Sequence, residues 1–124
     1  MRLFVVVSSL SLAACGAQAP GDPAPAQPSS ALASCTACHS LKAAGPKRSG
    51  PHLAGVIGRK AGSLTGYAYS AAMKRSDFVW TQAALDAFLA DPTSVIPGTR
   101  MSMRVPDAQR REQIIEELTV GRER

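Results

Sequence analysis

The sequence predicts an all-α domain of short helices and loops, and three observations carry that prediction. Two segments place apolar residues at helical spacing behind a capping side chain: Leu85, Phe88 and Leu89 follow Thr81, and Ile114, Ile115 and Leu118 follow Asp107. No stretch alternates apolar and polar residues convincingly enough to read as a strand. Residues 45–66 are so rich in glycine and proline that they are expected to be loop.

Taken in order, residues 1–14 read as an export signal. Arg2 opens the segment, and an apolar run over 3–14 is too short to cross a bilayer as a helix. This is the charged region and apolar core of a secretory signal peptide. The run ends in Leu12-Ala13-Ala14-Cys15, which resembles the lipobox of bacterial lipoproteins, cut just before a cysteine that receives lipid. An ordinary cut after Ala17-Gln18-Ala19 would leave Pro20 directly behind the cleaved bond, which is unfavourable. Lipidation of Cys15 would supply more than one buried acyl chain, enough for stable anchoring. The expected location is the periplasmic side of a bacterial membrane, an oxidising compartment. Residues 15–30 are rich in Ala, Pro, Gln, Gly and Ser with no apolar periodicity and read as a semi-rigid tether. The folded domain is expected over 31–124, and a length of 124 residues leaves room for one domain.

Within that domain, residues 31–40 can form a short helix around two cysteines. Thr81 caps a helix over 82–90, which Asp91-Pro92 stops. Asp107 caps a last helix that runs to about 120, with Gly121 where a C-cap would sit. From Cys15 onward the chain has only 18 Leu, Ile, Val and Phe among 110 residues, about 16%, against the ~20% below which globular chains are uncommon. A domain of this size with so thin a core commonly needs a staple, so a large apolar group is expected at its centre. The net charge of +5 is modest and scattered, without the basic stripe of a nucleic-acid binder. Three cysteines cannot all pair with one another, which argues against a disulfide framework.

Cys35-Thr36-Ala37-Cys38-His39 has the C-x-x-C-H spacing of c-type haem attachment. Residues i and i+3 share one face of a helical turn, so both thiols can add to the two vinyl groups on one edge of a macrocycle. The adjacent His39 then reaches the iron through its imidazole. A thioredoxin-like pair would need a strand-helix-strand context, and a structural zinc site a second ligand pair, for which only His52 and Cys15 remain. A plain disulfide between Cys35 and Cys38 would leave His39 unexplained.

From residue 31 to about 120 the chain resembles a class I cytochrome c, the small monohaem electron carriers. The motifs come in the family's order: Cys35-Thr36-Ala37-Cys38-His39; Gly50-Pro51-His52-Leu53 running on to Gly58-Arg59-Lys60; Gly66-Tyr67-Ala68-Tyr69-Ser70; Trp80; and Ile96-Pro97-Gly98-Thr99-Arg100-Met101. The resemblance implies one covalent haem c, with Met101 as second axial ligand beside His39; such His/Met ligation raises the potential. It implies that the carbonyl of Pro51 accepts the free ring N–H of His39, fixing its tautomer. It implies that Arg59, Tyr69, Trp80 and Thr99 bond or screen the haem propionates, which need donors to stay ionised when buried. The plainer alternatives are a core methionine, a turn proline, packed aromatics and a solvated arginine. His52 is assigned no role and reads as an exposed loop residue.

Three positions depart from the family's pattern. Met103 stands where an aromatic is common, and it could pack on the haem edge or compete as ligand. Ala31 and Glu117 replace the aromatics where the first and last helices cross. Phe88 replaces a tyrosine beside the ligand sulfur, removing one hydrogen bond to it. The implied function is one-electron transfer between redox partner proteins by a monomeric, membrane-tethered carrier rather than an enzyme, since two axial ligands leave no open site for substrate at the iron. A haem subunit of a larger oxidoreductase and a redox or gas sensor are the alternatives. Lys42, Lys47, Arg48, Arg100 and Arg104 lie in segments that border the haem motifs and would form a basic docking rim for acidic partners.

Overall fold

The computed structural model describes residues 31–121; the expected signal, Cys15, the tether and residues 122–124 lie outside the described residues. A 3-10 turn over Cys35–Ala37 is followed by four helices: α1 (Ala71–Arg75), α2 (Gln82–Ala90), α3 (Pro92–Val95) and α4 (Ala108–Val120). No strand occurs among the described residues; Lys60 and Val79 form an isolated antiparallel bridge. No described helix is long and apolar enough to cross a membrane.

The two helices with apolar stripes form where their caps predict. Thr81 Oγ1 accepts the N–H of Ala84 at 3.0 Å, and Asp107 Oδ1 accepts that of Arg110 at 2.6 Å. Leu85, Phe88 and Leu89 of α2 and Ile114, Ile115 and Leu118 of α4 are buried together as the helices pack on each other. Ile114 is 1% exposed, and burying such a side chain contributes about 1.5–3 kcal/mol.

Where the structure differs from the expectation, hydrogen bonding explains it. Residues 31–40 form no regular α-helix. Cys35 O accepts the N–H groups of both Cys38 and His39, at 3.1 and 2.9 Å, but Cys38 O is taken by Gly50 N–H at 2.7 Å and Ser40 O by Leu53 N–H at 2.8 Å. The returning loop captures the carbonyls that a longer helix would have used. Asp91-Pro92 ends α2 and also begins α3: Asp91 caps Ser94 N–H, and proline suits a first helical position, where its missing donor costs nothing. Helix α1, capped by Ser70, was not expected. Gly121 sits at the end of α4 but at φ −61°, so it forms no left-handed cap.

Three main-chain bonds clip the glycine-rich loop to the segment before α2: Gly58 N–H to Trp80 O at 2.8 Å, Trp80 N–H to Arg59 O at 2.8 Å, and Ala61 N–H to Phe78 O at 2.9 Å. Trp80 then packs edge-on against Phe78 and Phe88, at centroid separations of 4.9 and 5.0 Å. Ala31 and Leu32 are buried in the same cluster as Ile114 and Leu118, and Arg110 Nη2 donates to Ser34 Oγ at 3.3 Å. The approach of the first segment to the last helix therefore uses aliphatic side chains and one polar tie in place of aromatics.

Candidate functional site

A cavity of about 440 Å³ opens between the cysteine turn, the glycine-rich loop, helices α1, α2 and α4, and the segment after α3. That volume lies in the range of cofactor and ligand sites. Cys35, Cys38, His39, Pro51, Arg59, Tyr69, Trp80, Thr99 and Met101 all line it. The fold thus gathers around one cavity nine residues spread over 67 positions of sequence, most of the remaining lining being apolar.

His39 is the most tightly held of them. Its Nδ1 lies 2.7 Å from Pro51 O, and a carbonyl can only accept, so Nδ1 donates, which in the neutral imidazole leaves Nε2 as the nitrogen with the lone pair. A methyl group on Gly50 would come within 2.4 Å of the imidazole Cε1, so only glycine lets the returning loop lie against the ring. The two thiols are not joined to each other: Cys35 is buried and Cys38 exposed. Burial pushes the Cys35 thiol above its ordinary pKa, opposed in part by a hydrogen bond with Ser34.

Met101 sits beyond a tight turn. Thr99 N–H donates to Ile96 O at 3.0 Å across Pro97-Gly98, and Gly98 adopts φ +89°. Proline followed by a positive-φ glycine is the chemistry of a type II turn. Met101 is half-buried against the core, and its N–H donates to Thr99 Oγ1 at 3.3 Å. Farther on, Val105 N–H bonds Leu89 O at 2.8 Å. Arg111 donates from Nη1 to Val105 O and Pro106 O, at 3.0 and 2.9 Å, and from Nε to Asp86 at 2.7 Å. Arg104 pairs with Asp91 at 3.0 Å, and Arg100 donates to Ala68 O.

Arg59 is half-buried and donates from Nη2 to His52 O at 2.9 Å and from Nη1 to Ala54 O at 3.2 Å. Burial lowers its pKa, an effect that the neighbouring Tyr69 opposes; burial likewise raises the Tyr69 phenol. Among the described residues no carboxylate forms an ion pair with Arg59, so a cation with unused donors faces a largely apolar cavity. An anionic group brought by a ligand would relieve that cost.

These features fit a c-type haem. Two thiols three residues apart reach the wall, an imidazole there has its outer nitrogen satisfied, thioethers line the same space, and an unpaired guanidinium is available for a propionate. Sequence reasoning missed a role for Gly50, quoted only as part of the Gly50-Pro51 motif, and for Tyr67, whose hydroxyl donates to Ser49 O at 2.7 Å and whose ring meets Tyr69 edge-on at 4.7 Å. It also missed Arg111. His52 is a correction: it is half-buried rather than exposed, and its Nδ1 is enclosed without a hydrogen-bond partner among the described residues. Its carbonyl anchors Arg59, which is what draws this loop inward.

No family model matches the chain. It is 49% identical over 67 residues to cytochrome c2 iso-2 of Magnetospirillum fulvum, covering 54% of this chain and 69% of that protein. It is 35% identical over 114 residues to cytochrome c2 of Blastochloris viridis, covering 91% of this chain and 84% of that one. Among solved structures, cytochrome cH from Methylobacterium extorquens superposes with a TM-score of 0.67 at 41% identity, over 73% of this chain and 91% of that chain.

Proposed function

This chain belongs to the class I monohaem cytochromes c, electron carriers rather than enzymes, and we propose that it is a periplasmic carrier tethered to a membrane through Cys15. Its haem c is assigned to Cys35 and Cys38, with His39 and Met101 as axial ligands. Bound there, the haem supplies a reversible one-electron couple. The observation that carries the residue assignment is the His39–Pro51 bond in a cavity that Met101 also lines.

The protein's own groups set the conditions for transfer. Pro51 O holds the His39 ring in one orientation and makes it a more basic ligand. Met101 offers a neutral, soft sulfur. Phe88, Leu85, Leu89 and Ile114 give the same cavity an apolar lining, which would keep water from a bound haem. Arg59 supplies charge, and Tyr69, Trp80 and Thr99 polar atoms, where propionates would lie. Tethering would raise the effective concentration of the carrier at a membrane-bound partner without any new contact.

Acid–acetone extraction of the protein, made with haem-attachment machinery, should leave haem on the polypeptide; free haem in the extract would refute the thioether assignment. Visible spectra in both oxidation states should show a six-coordinate low-spin haem that ignores carbon monoxide, and rapid carbon monoxide binding would refute the closed axial pair. Cys15→Ser should move the protein from the membrane fraction to the soluble one. A wild-type protein already soluble and unmodified would refute the anchor.

A further inference from the structure

We infer that Met103 is a second thioether ligand for the axial position of Met101, taken up when Met101 is lost; the inference rests on the assignment of Met101 above. Both methionines line the cavity, two residues apart. Met101 is half-buried against the core, whereas Met103 is 38% exposed, at the cavity's open margin.

The chain around Met103 is free to follow it. Among the described residues, the main chains of Ser102, Met103 and Arg104 make no hydrogen bond, so none is broken when they shift. The nearest restraints are the long 3.3 Å contact between Met101 N–H and Thr99 Oγ1 and the 2.8 Å bond from Val105 N–H to Leu89 O. Two residues of extended chain span about 7 Å. An unbranched methionine side chain with three rotatable bonds can cover part of that distance.

Other side chains are poorer substitutes. Residues 92–106 contain no lysine or histidine. Arg100 and Arg104 carry guanidinium groups, which are donors only, and are already engaged with Ala68 O and Asp91. Met73 lines the cavity too, but α1 holds its main chain, with its N–H on Ser70 Oγ at 3.1 Å and its carbonyl accepting from Ser76 N–H at 3.2 Å. Met103 would offer haem the same neutral thioether as Met101, so no proton or electron would enter or leave when it takes that place. In the intact protein Met101 prevails because it is already packed on the core.

The test compares holoprotein of Met101→Ala with the double variant Met101→Ala/Met103→Ala, each first shown by extraction to retain covalent haem. The single variant should keep a six-coordinate low-spin spectrum with a displaced far-red sulfur-to-iron band. It should also bind carbon monoxide at least about tenfold more weakly than the double variant, as when an internal ligand fills the site ~90% of the time. The double variant should lose the band. A single variant that lacks the band and binds carbon monoxide as readily as the double would overturn the role of Met103 and leave that of Met101 intact. A band surviving in both would assign the sulfur elsewhere, with Met73 next in line. A band in Met101→Ala unchanged from wild type would show that Met103 ligates from the start, which overturns the Met101 assignment itself.

Discussion

Residues 35–53 hold His39 by main-chain bonds, whereas residues 96–106 carry Met101 on a segment held chiefly by side chains. In the first region Gly50 N–H on Cys38 O, Leu53 N–H on Ser40 O and Pro51 O on the imidazole close a short return of the chain. In the second, arginines bridge the segment to distant elements: Arg100 to Ala68 O, Arg104 to Asp91, Arg111 to Asp86 and to the carbonyls of Val105 and Pro106. Main-chain bonds within a short loop cost little side-chain entropy to keep, and long arginines cost more. The His39 region should therefore respond to substitution all at once, and the Met101 region by degrees.

The largest effect is expected in the first region. Gly50→Ala places a methyl 2.4 Å from the His39 ring, and the three nearest atoms all belong to that imidazole, whose orientation Pro51 O holds, so no flexible end can yield. The loss should be about 3 kcal/mol, the upper part of the range for overpacking, read as a lowered denaturant midpoint and a reduced yield of holoprotein. Unchanged stability would mean that the loop is as adaptable as the second region.

Next comes Arg111→Lys. An ammonium cannot span Asp86 and two carbonyls as the guanidinium does. A loss of about 2 kcal/mol is expected from charge-assisted bonds at a side chain only 13% exposed. The far-red band should disappear on heating before far-UV circular dichroism reports unfolding. Coincident transitions would show that Arg111 stabilises the fold and does not hold the Met101 segment in particular.

A smaller, pH-dependent effect is expected for Asp91→Asn. Hydrogen bonds from Ser94, then Thr93, and the charge of Arg104 hold the Asp91 carboxyl below the ordinary carboxylate range. A folded-state pKa below the unfolded one stabilises the protein above the unfolded value, and the contribution is lost as pH falls through the folded one. Melting temperatures of wild type and variant should differ at neutral pH and converge in acid; a constant offset would mean that the carboxylate's charge is not what matters.

The smallest effect on the isolated protein, and one confined to low salt, is expected at the rim. Lys42, Lys47, Arg48, Arg100 and Arg104 are all exposed, although Arg104 is already paired. Arg100→Glu should slow electron transfer to an acidic partner at low ionic strength and matter little once the Debye length shrinks to ~8 Å. A rate indifferent to salt would leave the tether as the source of rapid encounter.

Much of this molecule was legible one segment at a time. Thr81 and Asp107 cap helices whose apolar stripes lie within a few residues of them, and Cys35, Cys38 and His39 share one turn, so the information is local. Asp91-Pro92 stops α2, yet an N-cap followed by proline is equally a start, and the helix that Ser70 caps is only five residues long, too short for an apolar stripe to announce it. By itself the sequence determined the helical class, the two main helices and the haem motif, because caps, apolar spacing and C-x-x-C-H act over three or four residues. Only the tertiary structure decided that Gly50 lies against His39, that His52 turns inward to anchor Arg59, and that Arg111 reaches Asp86 and Val105. Those contacts join segments 6 to 25 residues apart; packing of the whole chain brings them together, and no local pattern encodes them.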